Sequence, residues 1–323
     1  MNDAQETQFG SSGITSASEI ARRRLPKRKI KIPLLLFFLT CLSTFWVGIT
    51  DWRPLVPLQA GDFDAILMAI RMQILQNWDQ GLLYMASVLL ILLLHEFGHF
   101  FTTIYYRVPA TVPIFLPFPF NPIGTLGAVI GMQGTLADRK QIFDIGIAGP
   151  LAGLVAAIPL AYLGVMELNL MDPPRGGIGF RLPILMQWMV ASVGVEGYQA
   201  SDPVVWINQL NPFFAAAWVG LLITGLNMMP VGQLDGGHIA YTLFGQSASW
   251  IAKGTIILAI AFMVCFQHYL LIIMVLLILL MGTNHPPTAD DTVKIGVGRW
   301  ILGLTSLLIP LLCFPPLIFK FAF

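Results

Sequence analysis

The chain has 323 residues, 56 % hydrophobic and 11 % charged, with a mean hydropathy of +0.75. So few polar groups cannot cover a globular surface built from that much apolar material, which excludes a water-soluble globule and indicates a polytopic membrane protein. A net charge of +1, with a single basic cluster near the N-terminus, excludes nucleic acid as a partner.

Residues 1–20 are polar and Ser-rich and are expected to be disordered. They run into "ARRRLPKRKIK", residues 21–31, whose seven basic residues abut the first apolar run. The positive-inside effect places such a cluster, and with it the N-terminus, in the cytoplasm. No cleavable signal or transit-like leader is evident, which favours a bacterial cytoplasmic membrane.

A bilayer core takes about 20 apolar residues per helix. On that ruler, spans are expected near 32–50, 82–106, 142–166, 211–230, 250–267, 269–283 and 300–318. Only Gln267, His268 and Tyr269 separate the fifth from the sixth, so residues 250–283 form one span or two and the total is six or seven. The fold class expected is an all-α membrane bundle with two irregular insertions.

Both insertions follow the second span. "PATVPIFLPFPFNPIG", residues 109–124, carries five prolines, which forbid a helix, among mostly apolar neighbours. Apolar, non-helical backbone at membrane depth survives only where protein or a watery cavity satisfies it, so a re-entrant loop is expected, with an ordinary cytoplasmic loop as the alternative. A short β-hairpin is expected within "GTLGAVIGMQGTL", residues 124–136, where glycines supply turns and the alternation is strand-like. The loop at 167–210 is too short for a typical inserted domain.

The chemistry sits in "LLLHEFGHFF", residues 92–101. His95 and His99, four apart on a helix, project from nearly the same face and can grip one metal ion. Glu96 lies beside them, where a carboxylate can take a proton from water acidified by zinc. Burying an uncompensated glutamate in lipid is costly, which makes a functional role the default. If Arg107 marks the interface, His95 lies about 18 Å along the helix and more than halfway into the bilayer core.

Catalytic zinc takes a third protein ligand. Asp235, in "LNMMPVGQLDGGH", residues 226–238, lies at the inner end of span four, which runs in the same direction as span two, so it can reach the histidines. Pro230 ends the helix before it, and Gly232, Gly236 and Gly237 loosen the backbone. The residues alone also admit a simple turn with a solvated Asp235. Asn227 either holds a substrate backbone or satisfies carbonyls freed by Pro230. His238 is either a partner that orients the Asp235 carboxylate or an interfacial histidine. His285, in the stiff turn "NHPPTADD", residues 284–291, is not expected as a ligand.

HEFGH at 95–99, together with Asn227, Pro230, Leu234, Asp235 and Gly236 spaced as NxxPxxxLDG, resembles the site-2 protease family of intramembrane zinc metalloproteases. "GIAGPLAG", residues 146–153, looks like that family's glycine-rich third-span segment, and "GTLGAVI" like its stretch after the first motif. The resemblance covers residues 82–245 and implies one zinc ion on His95, His99 and Asp235, Glu96 as the base, transmembrane protein substrates, and Asn227 near the substrate. A single transmembrane catalytic domain over residues 32–320 is expected, with the motifs in its core. Many relatives carry a PDZ domain or nucleotide-binding modules for which no segment here is long enough, so a minimal core is expected, regulated within the spans, through the Pro-rich loop or by an unknown partner.

An unwound substrate is expected to add as a strand along residues 124–134, with Gly127, Ala128 and Val129 in the binding stretch. Two other classes stay open: a zinc hydrolase acting on a lipid, and a metal transporter or scaffold. The latter has no need of the Glu96 base.

Overall fold

The structure is a computed structural model, and it describes residues 30–173, 177–266, 282–315 and 319–322. Most of the basic leader (1–29), and residues 267–281, on which the choice between one and two spans at 250–283 turns, lie outside the described residues.

The fold is mainly helical. Among the described residues, Lys31–Ile49, Phe63–Tyr105, Arg139–Met166 and Asp235–Cys265 are long and apolar enough to cross a membrane. The first is helix α1. The second, α2, is longer than the expected 82–106 because Asp62 caps it far upstream, its side chain accepting from the Ala65 N–H at 2.9 Å. Asp64, Arg71 and Asp79 keep that first part too polar to count as a span. The helix kinks at Asn77, whose side chain donates to the Ile49 carbonyl of α1 at 2.9 Å.

Helix α3 (Arg139–Met166) opens on a capping box formed by Asp138 and Gln141. After it come α4 (Ile184–Val193), α5 (Pro212–Asn227), α6 (Asp235–Phe244) and α7 (Ala248–Phe266). At 16 residues, α5 is shorter than the four candidate spans. The expected span at 300–318 is not one helix. It divides into α8 (Val297–Ser306) and α9 (Ile309–Cys313), since Pro310 has no N–H to carry the helix across the junction.

The hairpin is real but displaced from where the glycines suggested. Strand β1 (Ile114–Phe118) comes from the Pro-rich segment itself and pairs antiparallel with β2 (Gly124–Val129), with a bulge between Phe115 and Pro117. Prolines are tolerated because β1 is an edge strand and Pro117 sits at the bulge. Ser43 of α1 and Tyr84 of α2 donate to the carbonyls of Gly124 and Ile123 at 2.6 and 2.8 Å, which fastens the turn to the bundle.

A three-stranded sheet was not expected. Its middle strand β3 (Gly177–Arg181) pairs with β4 (Val204–Trp206) and with β5 (Phe319–Ala322), joining two distant parts of the chain.

In lipid there is little hydrophobic drive between helices, so close packing and polar contacts carry the association. One such contact ties three segments. Arg299 of α8 forms a two-pronged pair with Asp144 of α3, at 2.7 and 2.8 Å, and the Tyr106 hydroxyl, just past α2, donates to the same carboxylate at 2.5 Å. Burial, reinforced by that carboxylate, pushes the Tyr106 phenol up to about 12. Arg299→Ala leaves Asp144 half-buried with only the tyrosine, and should cost about 2 kcal/mol in a detergent unfolding titration, whereas Thr305→Ala on the exposed face should cost little.

Candidate metal centre

The site is built where α2, α3 and the start of α6 meet. His95, Glu96 and His99 lie on α2, all buried, at 3, 4 and 9 % exposure. Asp235 is the first residue of α6, where the N-terminal end of a helix favours a carboxylate. A Cβ on Gly236 would collide with the Met228 carbonyl, and one on Gly237 with that of Gly232. These glycines therefore allow a close approach of α6 to the turn before it, a tighter role than the general loosening expected from their chemistry.

His95 Nε2 lies 3.3 Å from Asp235 Oδ2, His99 Nε2 lies 3.3 Å from Asp235 Oδ1, and the two Nε2 atoms are 3.2 Å apart. Zinc bonds of about 2.0–2.1 Å in a tetrahedron require ligand atoms about 3.3–3.4 Å apart, so these spacings fit one ion. Asp235 Oδ2 is buried with no hydrogen-bond partner, which an ion would supply. His99 Nδ1 lies 2.7 Å from the Ile145 carbonyl; a carbonyl only accepts, so the proton is on Nδ1 and the Nε2 lone pair faces the ion position.

The glycine-rich segment of α3 sets this geometry. A Cβ on Gly149 would penetrate the His99 ring at Nε2, and one on Gly153 would sit 3.2 Å from His95 Nδ1. Gly98 of α2 faces back with the same tightness, its missing Cβ falling on the Ala148 carbonyl. Thus α3 is the backing against which both imidazoles are held.

The ligand atoms open on a cavity of about 450 Å³. Glu96, Asn227, His238, His285, Ala128 and Val129 are among the residues lining it. Asn227 Nδ2 lies 3.3 Å from His95 Nε2, closer to the metal ligands than its expected substrate role required. Gly127 does not line the cavity; its N–H is taken by Thr125 Oγ1 at 3.0 Å. Two readings were open for His238, and among the described residues it makes no hydrogen bond to Asp235. One helical turn beyond the aspartate, the His238 ring turns to His285, with Nδ1 and Nε2 2.5 Å apart. His285 was passed over in the sequence because its neighbourhood signals only a turn. Packing alone brings it to the site.

Gly149→Ala should displace His99 and weaken zinc binding by about 10–100-fold in a chelator competition, with Gly153→Ala milder because its Cβ has more room. Equal affinity in all three proteins would contradict the backing role.

Residues 83–275 match the family model described as Peptidase family M50. Similar proteins include "Probable zinc metalloprotease EGY1, chloroplastic" of Oryza sativa subsp. japonica, 33 % identical over 67 % of this chain and 38 % of that protein. The protein of the same name in Arabidopsis thaliana is 27 % identical over 88 % of this chain and 53 % of its own length. "Probable zinc metalloprotease EGY2, chloroplastic" of Arabidopsis thaliana is 29 % identical over 72 % and 41 %. The chain thus spans about half or less of the length of these relatives. Their chloroplastic names overturn the expectation of a bacterial cytoplasmic membrane, which rested on reading no transit-like signal in the first residues. With more than half its length under the family model, the chain belongs to Peptidase family M50, the site-2 protease family.

Proposed function

We propose that this protein is an intramembrane zinc endopeptidase that cuts transmembrane segments of other proteins. The observation that carries the reading is the triangle of His95 Nε2, His99 Nε2 and Asp235 carboxylate oxygens at 3.2–3.3 Å, buried and opening on one cavity with Glu96. The expected arrangement of six or seven spans with a re-entrant Pro-rich segment, acting as one catalytic unit, belongs to this reading. The membrane proposed is a chloroplast one, after the names of the relatives.

Zinc held by His95, His99 and Asp235 would polarise the scissile carbonyl and bring the pKa of water down toward about 7. Glu96 takes the proton from the attacking water and returns it to the departing amine. With His95 Nε2 held by a bound ion, the Asn227 amide, 3.3 Å away, would be free to donate to a substrate carbonyl. A helical peptide bond is shielded by its own hydrogen bonds, so the substrate must first unwind, and its freed backbone groups then need partners. Strand β2 supplies them, because β1 covers one of its edges and the Ala128–Val129 stretch borders the cavity. A strand edge matches a peptide backbone and has no use for a lipid, which favours the protease over a lipid hydrolase. Glu96 has no role in metal carriage.

Glu96→Gln should keep one zinc per chain and lose cleavage of tagged single-span proteins by at least about 10³-fold; a variant that still turned over would remove the assigned base. Val129→Pro should lower cleavage at unchanged zinc content. Wild-type rates in that variant would reject strand addition.

A further inference from the structure

The segment "NHPPTADD", residues 284–291, belongs to neither motif, yet the fold lays its His285 and Pro286 against the cavity. Its far end is anchored to the start of α3. Ala289 N–H donates to the Ala137 carbonyl at 2.8 Å, Arg139 N–H donates to the Asp290 carbonyl at 3.2 Å, and the Arg139 guanidinium reaches the Asp291 carbonyl at 3.4 Å. Tyr241 of α6 holds both of its ends, its hydroxyl donating to Asp291 Oδ2 at 2.8 Å while its ring stacks on His285, 4.3 Å between centroids at 15°. The anchoring delivers one imidazole to one place.

Hydrogen bonding then determines where the protons sit. His285 Nδ1 lies 2.5 Å from the Pro286 carbonyl, which only accepts, so Nδ1 carries the proton and Nε2 keeps a lone pair. That lone pair faces His238 Nδ1 at 2.5 Å, so His238 donates from Nδ1 and its own Nε2 is left as an acceptor. His238 Nε2 has no hydrogen-bond partner among the described residues, and His238 lines the cavity that holds the metal ligands. Burial pushes His285 below the usual imidazole range, in keeping with a neutral ring at this position.

We propose that His285 is a positioning residue, locking His238 in the tautomer whose Nε2 accepts a backbone N–H of the unwound substrate beside the scissile bond. The inference rests on the protease reading above and adds a second subsite to it. A peptide drawn out of helix exposes N–H groups that a water-poor cavity leaves costly, and His238 supplies an acceptor for one of them. Without His285, the His238 proton is free to move to Nε2, where it would meet the substrate proton head-on.

The test uses the zinc-loaded Glu96→Gln protein in detergent, which reads binding without turnover. The probe is a fluorescent synthetic single-span peptide with a central Gly-Pro pair. Adding His285→Ala should weaken the peptide Kd about tenfold, the effect of one lost hydrogen bond, while His285→Gln, whose amide oxygen still accepts from His238 Nδ1, should stay within about twofold. Zinc content should not change in either. In parallel, ¹⁵N-histidine spectra of the wild type should show an unprotonated His238 Nε2, and His285→Ala should shift it toward the protonated form. A protonated Nε2 in the wild type, or an unchanged Kd in His285→Ala, overturns the proposal, as does equal weakening in the Ala and Gln variants, which would indicate a merely structural strap. Intact peptide binding and tautomer with no cleavage by the wild type would instead overturn the protease reading alone.

Discussion

Everything at the centre of this molecule depends on how closely α3 approaches α2. Two imidazoles four residues apart on a helix have many rotamers available, and only some bring both Nε2 atoms to a shared point. Here the rings are pressed between their own helix and a neighbour that has hydrogen atoms where side chains would be, at Gly149 and Gly153. The Ile145 carbonyl of the same neighbour also fixes the proton of His99. One helix therefore sets ring position, ring orientation and tautomer together.

The third ligand arrives by a different route. Asp235 is carried by the first residue of a new helix, directly after a turn so tight that Gly236 and Gly237 admit no side chain. Arg139, at the start of α3, caps the other end of that helix by donating to the Thr242 and Leu243 carbonyls at 2.7 and 3.2 Å. The element that backs the histidines thus also anchors the element that carries the aspartate, and the spacing of all three donors becomes a property of a single packing unit.

Around this unit the cavity is walled by segments of contrasting origin. One wall is the edge of a two-stranded sheet fastened to α1 and α2 through Ser43 and Tyr84. The strap ending at Asp291 also borders it, through His285 and Pro286. A strand edge and a histidine pair thus both border the cavity.

Much of this was legible in the residues. A HEFGH run inside an apolar helix and an Asp after a helix-breaking proline are local patterns, and local patterns dictate side-chain chemistry because i and i+4 on a helix share a face whatever surrounds them. Helix α1 and the cores of α2 and α3 followed from hydropathy for the same reason. Apart from the approach of Asp235 to the two histidines, which the shared direction of spans two and four anticipated, the residues did not show which segments pair. The β1 partner of β2, the three-stranded sheet that unites residues 177–181, 204–206 and 319–322, and the meeting of His285 with His238 all join positions whose sequence neighbourhoods are silent about each other. Proline argued against a strand at β1, and only an edge with a bulge made one admissible. Local chemistry was thus written in the sequence, while the tertiary structure alone decided which lone pair faces which proton, because the contacts that fix the protons of His99 and His238 join residues more than forty positions apart.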